Sequence, residues 1–300
     1  MMRTTDPPAR IEEFAASGGY TDLRPLGQGL EFLAFGATAA DGSPVVLRTA
    51  VGARIQSNAN DPYVDTRQLL RWEQSVTVHL TRLGFPVAAP RELVLGEVDV
   101  LISEYLPDDG RGADQQQLGA LLRRLHDLPP PLAEPVAAEG TTPAELLPRR
   151  IVRRWRELAA LVPDLPTAPD AERLAAELAR PRPGGLVHLD VRAANLRCTA
   201  GRVRGLIDWS NAMVADPVLE LARLAEFARL PGNGLDLGAV LAGYGCSGLP
   251  DSPTTSIYRL DAAVMLAVVF RCEAPDSQLG SRAVDRLREV RAQLDRELSR

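Results

Sequence analysis

Two kinds of periodicity divide this 300-residue chain, and their order limits the folds open to it. Up to about residue 105, short β-like runs alternate with glycine-containing turns, and beyond Pro107 long helical periods take over. Strands first and helices after them mark the α+β class. The turn Asp41-Gly42-Ser43-Pro44 joins a strand around Glu31–Thr38 to Val45–Arg48 as a hairpin. Leu93–Leu95 and Val98–Ser103 make a second strand pair. Between the pairs lies one helix, with Asp65 as its N-cap, Gln68 three residues on, and Leu70, Val76, Leu80 and Leu83 along one face. Leu83-Gly84 closes it, because Pro86 cannot continue it. Helical periods then cover residues 115–128, 143–161, 171–179, 217–230 and 281–298, interrupted by a β-like island at 185–188, 196–198 and 203–207. The expected organisation is a small antiparallel-sheet lobe with one helix (residues 1–105), followed by a larger, mainly helical lobe (residues 106–300).

Composition narrows the chemistry. All thirty-four basic residues are arginine, so the chain has no lysine. P-loop nucleotide hydrolases need a lysine for the β/γ-phosphates, Schiff-base enzymes need its amine, and Ser-x-x-Lys acyl transferases need it beside the nucleophile. All three classes are excluded. A net charge of -5 gives no general affinity for nucleic acid or an anionic membrane. Cys198, Cys246 and Cys272 are few and scattered, which suggests a reducing compartment and gives no zinc spacing. Met1–Arg10 is polar and lacks a secretory apolar stretch, while the apolar run Ala262–Phe270 falls far short of the ~20 residues of a membrane span. These features lead to the expectation of a cytoplasmic protein with a buried helix at 262–270.

The segment from Gly185 to Ala222 carries the chemistry. Asp190, Asn195 five residues later and Asp208 thirteen after that are the residue types a phosphoryl-transfer site requires. One carboxylate orients the attacking hydroxyl, while an amide oxygen and a second carboxylate supply hard oxygen ligands for Mg²⁺. In the order His188-Leu-Asp190, Asn195, Ile207-Asp208-Trp209 and Asp216-Pro217, the chain resembles the aminoglycoside phosphotransferase and choline kinase family, which has the protein-kinase-like two-lobe fold.

That resemblance implies an ATP-dependent O-phosphotransferase acting on a small-molecule hydroxyl, either an aminoglycoside-like antibiotic or another metabolite, with ATP in the cleft between the lobes. Asp190 would be the catalytic base, Asn195 and Asp208 the Mg²⁺ ligands, and Asp216 a structural brace. Gly27 and Gly29 sit where a nucleotide-covering loop belongs, and Arg48 takes the place of the phosphate-reaching lysine of protein kinases, with Glu73 as its helix partner. Adenine would meet the backbone of Ser103 and Tyr105. His188 would buttress the catalytic loop, and His126 reads as a packed or capping residue.

Several alternatives stand beside this. Arg192 either neutralises charge on the phosphoryl group or forms a loop salt bridge. The arginines of Arg149–Arg156 read first as a solvated helix face, and otherwise as an attraction for an anionic substrate or acidic peptide. Glu220, Glu226, Asp261 and Glu273 are the candidate carboxylates for a polycationic acceptor. The family prefers Gly at 215 and Asp at 220, where this chain has Ala215 and Glu220. A kinase of Ser or Thr in a peptide is a second reading, disfavoured by the short stretch Trp209–Ala215 where protein kinases carry an activation segment. A non-catalytic ATP-binding scaffold is a third.

Overall fold

The computed structural model describes residues 7–131, 140 and 142–300. The polar opening Met1–Arg10 thus lies outside the described residues as far as residue 6. The chain forms two compact units. One takes in the chain up to Ser57, Tyr63–Arg111 and Leu196–Ser210; the other comprises Asn58–Pro62, Gly112–Asn195 and Asn211–Arg300.

In the first unit, five described strands form an antiparallel sheet in the order Thr21–Gln28, Phe32–Thr38, Pro44–Ala50, Val100–Glu104 and Pro90–Val94. Period-two alternation sends Phe35, Ala37, Val45, Leu47, Val100 and Ile102 to one face, where Ile11 and Ala15 cover them. Those two residues belong to a helix, Pro7–Ser17, which lies ahead of the helix expected from the sequence. The expected helix, Thr66–Arg82, packs Leu70 against Phe32 and Leu101 on the opposite face. Its N-cap is Asp65, whose carboxylate accepts hydrogen bonds from the Arg67 and Gln68 N–H groups.

The hairpin Leu196–Thr199 and Arg202–Leu206 belongs to this unit as well. Its turn, Ala200-Gly201, has positive φ at both positions, as a two-residue antiparallel hairpin demands. The Leu206 N–H donates to Pro86 O at 3.0 Å, and the Asp109 N–H donates to Cys198 O at 3.0 Å. A Cβ at Gly205 would meet a Leu106 methyl at 2.1 Å, so that side chain would have to turn aside.

The second unit is built on helices. Pro143–Ala159, Pro253–Val268 and Ser277–Leu298 enclose a core centred on Leu147, Ile151, Trp155, Ile257, Val264 and Leu287. Thr142 and Glu145 close a capping box on Pro143–Ala159. The helices Gln115–Asp127 and Leu237–Tyr244 meet at two glycines. A Cβ at Gly119 or Gly243 would fall 2.0 Å from a carbonyl oxygen of the facing helix. The strands Gly185–Val187 and Met213–Ala215 pair antiparallel and present the loop between residues 188 and 195. Residues 262–268 of the apolar run complete a buried helix. No described helix is long and apolar enough to cross a membrane.

Candidate active site

Arg48 lies on the strand Pro44–Ala50, opposite Ala34 and Leu101 in the neighbouring strands. Alternation turns it away from Leu47 and towards the face covered by the helix Thr66–Arg82. One arm of its guanidinium donates to Glu73 Oε1 at 3.0 Å, and the other donates to Asp208 Oδ1 at 2.6 Å. The ring of Phe32 lies beneath it, 4.4 Å from Cζ to the centroid. Burial works against the Arg48 charge, but Asp208 and Glu73 outweigh it and hold the group above its usual range. Burial pushes Glu73 up to about 7, helped by the Asp208 charge and opposed by Arg48. Two carboxylates thus share one cation.

Asp208 follows the 196–206 hairpin at φ +67°, a left-handed conformation that costs a non-glycine residue energy. The neighbouring Trp209 anchors it: its indole is fully buried, donates to Leu206 O at 2.8 Å and meets Phe85 edge-to-face at 6.0 Å. Gly27 and Gly29 flank the bend between the first two strands. Neither has a positive φ, and an added Cβ at Gly27 would meet nothing within 4 Å. Packing therefore does not require glycine at 27. Ser103 pairs with Val46 and Pro90, and the Tyr105 N–H points at Pro44 O across a long 3.4 Å.

The loop after Gly185–Val187 lies in the second unit. Leu189 adopts φ +65°, and its backbone is held by Glu220, whose carboxylate accepts the N–H groups of both His188 and Leu189. The Asp190 N–H donates to His188 Nδ1 at 3.1 Å. The Asn195 amide nitrogen donates to Asp190 O at 2.8 Å and to Asp190 Oδ2 at 2.6 Å. Arg192 Nε lies 3.1 and 3.2 Å from the two oxygens of the same carboxylate, so the loop salt bridge is formed. Asp216 caps the helix Pro217–Phe227 through the Val218 N–H. Ala215 is accommodated where the family prefers glycine, because it lies on the strand Met213–Ala215 without a positive φ.

Glu220 therefore takes a part that spacing alone did not reveal. It is 1% exposed and occupied by backbone N–H groups, which removes it as a carboxylate for a cationic acceptor. Burial favours its neutral form; His126 at 4.0 Å, the field of His188 and the loop N–H groups overcome this and hold its pKa below the ordinary value. His126 is buried and shares a 2.8 Å hydrogen bond with the Tyr244 hydroxyl.

The other three candidate carboxylates are also taken. Glu226 binds Arg259 at 2.7 Å and Arg286 at 2.8 Å; Asp261 binds Arg150 at 2.6 Å; Glu273 accepts the Asn60 backbone N–H at 2.7 Å. The solvated-face reading of Arg149–Arg156 fails for the same reason. Arg154 is buried, Arg150 and Arg154 both reach Asp261, and Arg153 donates to Ala59 O and Asn60 O. Only Arg149 and Arg156 of that run face solvent. A separate cavity of about 470 Å³ opens beside Glu226, Arg229, Leu266, Arg282 and Arg286, and neither Asp190 nor Asn195 lines it.

The chain belongs to the phosphotransferase enzyme family, whose model matches residues 22–255. Three solved structures share its fold. Aminoglycoside phosphotransferase APH(4)-Ia is 17% identical with a TM-score of 0.61, the match covering 95% of this chain and 99% of that one. A thermostable mutant of the same enzyme, in ternary complex with AMP-PNP and hygromycin B, is 17% identical with a TM-score of 0.58, covering 94% and 98%. Macrolide 2'-phosphotransferase MphH from Brachybacterium faecium is 19% identical with a TM-score of 0.52, covering 93% and 97%. No curated protein sequence matches the chain.

Proposed function

We propose that this protein transfers the γ-phosphoryl group of ATP to a hydroxyl of a small molecule, with Mg²⁺ as cofactor. Family membership supports phosphotransfer, and two of its structural relatives were solved as aminoglycoside and macrolide phosphotransferases. The observation that carries the reading is Arg48, an arginine fork held between a buried helix glutamate and the aspartate of the Ile207-Asp208-Trp209 motif. That arrangement fixes a cation for phosphate oxygens without a lysine.

The residues fit Mg-ATP. Asn195 spends its amide nitrogen on Asp190, so its carbonyl oxygen is the atom it can offer a cation. Asp208 adds a carboxylate. Among the described residues no group of three or more His, Cys, Asp and Glu side chains forms a metal cage, and Mg²⁺ on a nucleotide needs only one or two protein ligands beside phosphate oxygens and water. Open space at Gly27 leaves its backbone accessible to phosphate. The bound ion would neutralise charge on the phosphates.

In this reading Arg48 and Asp208 orient the nucleotide, and Ser103 and Tyr105 receive the base. Asp190 accepts a hydrogen bond from the acceptor hydroxyl and takes its proton as the new P–O bond forms and the bond from the γ-phosphorus to the bridging oxygen breaks, releasing ADP. Arg192 and Asn195 hold the Asp190 carboxylate in place. The test is ATP consumption with Mg²⁺ against a panel of aminoglycosides, macrolides, sugars and hydroxy acids. Acceptor-dependent turnover is expected from the wild type, with a drop of at least about a hundredfold in Asp190→Ala. Undiminished turnover in that variant would remove Asp190 from the reaction.

A further inference from the structure

In the interior of the second unit three arginines gather around one carboxylate. Arg150 and Arg154, one turn apart on the helix Pro143–Ala159, and Arg223 on Pro217–Phe227 converge on Asp261, which is fully buried. Arg150 takes the favourable position, with Nε at 2.8 Å and Nη2 at 2.6 Å from the two oxygens. Arg154 reaches Asp261 Oδ1 at 3.3 Å and donates its Nε to Asn60 O at 3.1 Å. Arg223 receives least. Its Nη1 stays 3.7 Å from Asp261, its Cζ lies 5.3 Å from the centroid of the Phe227 ring, and it makes no hydrogen bond among the described residues.

This is an unusual state for a guanidinium only 8% exposed. Removing such a charge from water is costly unless the group is paired and hydrogen-bonded. An arginine that only tied helices together would be expected to behave as Arg153 and Arg154 do, by donating to carbonyl oxygens. Arg223 Nε is sealed from solvent without a partner. The Nη nitrogens of the same fork keep the small exposure that the side chain has, 10%. Burial lowers the Arg223 pKa; Asp261, then Asp190 and Glu220, oppose the fall, which sets this cation within the electrostatic reach of the catalytic loop. Burial pushes Arg154 down to about 9, with neighbouring Arg150 adding to the fall. Meanwhile Glu220, Glu226, Asp261 and Glu273, the four carboxylates considered for a polycationic acceptor, are already bound within the chain.

We infer that the acceptor phosphorylated by this enzyme carries an anionic group, a carboxylate or a phosphate or sulfate ester, and that Arg223 binds it, backed by Arg150 and Arg154. The inference rests on the phosphotransferase reading for the word acceptor, while anion binding at Arg223 stands on its own.

The experiment has a binding arm and a turnover arm. Protein saturated with Mg²⁺ and AMP-PNP, so that nucleotide-phosphate contacts are filled, is melted in increasing sulfate at constant ionic strength balanced with chloride. A saturable rise in Tm is expected for the wild type, about tenfold weaker in sulfate affinity for Arg223→Gln and partly restored in Arg223→Lys, the size a charge-assisted hydrogen bond carries. ATP turnover is then compared for glucuronate, glucose and glucosamine, which share a ring and differ in charge, and for hygromycin B. The expected order of kcat/KM is glucuronate above glucose above glucosamine, with sulfate competing against the acceptor.

No saturable sulfate effect in the wild type, or one undiminished in a folded Arg223→Gln, would overturn the inference. Preference for glucosamine or hygromycin B would overturn it equally. Should Arg223→Gln fail to fold, the wild-type sulfate titration and the Arg223→Lys protein still decide. A sulfate effect lost in Arg223→Gln but accompanied by no turnover with any acceptor would count against the phosphotransferase reading and leave the anion site standing.

Discussion

Arg48 donates to two carboxylates in different directions, 3.0 Å to Glu73 and 2.6 Å to Asp208, and one planar fork can satisfy both. A lysine ammonium has the charge but not the divergent geometry. Arg48→Ala would also leave Glu73 buried without its cation, so its kcat/KM should fall by about a hundredfold or more, the scale of losing a preorganised charge at a phosphoryl group. Arg48→Lys should retain a measurable part. Wild-type activity in the alanine variant would show that the phosphates are gripped elsewhere. Glu73 adds a pH signature. Its folded pKa of about 7 exceeds the ordinary 4.5, so between those values the folded protein keeps a proton that the unfolded chain has lost. Stability therefore falls as pH rises through that window, by on the order of 3 kcal/mol. Urea melts at pH 5 and pH 7.5 should show this fall in the wild type and lose most of it in Glu73→Gln.

At the scale of elements, the loop between residues 188 and 195 depends on a helix outside it. Glu220, on Pro217–Phe227, accepts the N–H groups of His188 and Leu189, and that second residue is held at φ +65°. Glu220→Ala would leave both donors buried and unpaired, with a loss of about 2–4 kcal/mol in urea unfolding and a fall in kcat. Glu220→Gln keeps one acceptor oxygen and should lie between. Because the Glu220 pKa is held below its ordinary value, its contribution is present above that value and fades as pH falls through the folded pKa. An alanine variant as stable as the wild type would mean the loop holds its own shape.

The contacts of Asp190 with His188 and Asn195 were within reach of the sequence because those residues lie close along the chain. The partners of Arg150 and Arg223 were not, since Asp261 lies 111 residues from Arg150 and charge pairing leaves no periodic trace. Element visibility follows the same physics. Thr66–Arg82 announced itself through a cap and a long apolar stripe. Pro7–Ser17 buries Ile11 and Ala15 alone among its described side chains, and Leu237–Tyr244 carries two glycines in eight residues, one of them needed for contact rather than for helix formation. The strand Met213–Ala215 is too short for alternation to register.

The absence of lysine is a property of the whole molecule, and it makes the nucleotide reading unusually easy to test. In most kinase-like proteins an acyl-phosphate derivative of ATP acylates the amine beside its phosphates. Here all thirty-four basic side chains are guanidinium groups, which such a reagent does not acylate under mild conditions. The wild type should therefore gain no side-chain label while Mg²⁺ and AMP-PNP still raise its Tm. Arg48→Lys introduces the chain's one ε-amine at the position assigned to the phosphates. Peptide mass analysis should find the acyl group at residue 48, and free ATP should suppress it. The same substitution placed at exposed Arg156 gives the control, with little label and no protection by ATP. Label at 48 with ATP protection would hold for a catalyst and for a scaffold alike, and the two separate on turnover: a scaffold takes the label and consumes no ATP with any acceptor. A folded Arg48→Lys protein that binds AMP-PNP yet takes no label would place the phosphates away from Arg48 and undo the assignment of Glu73 with it.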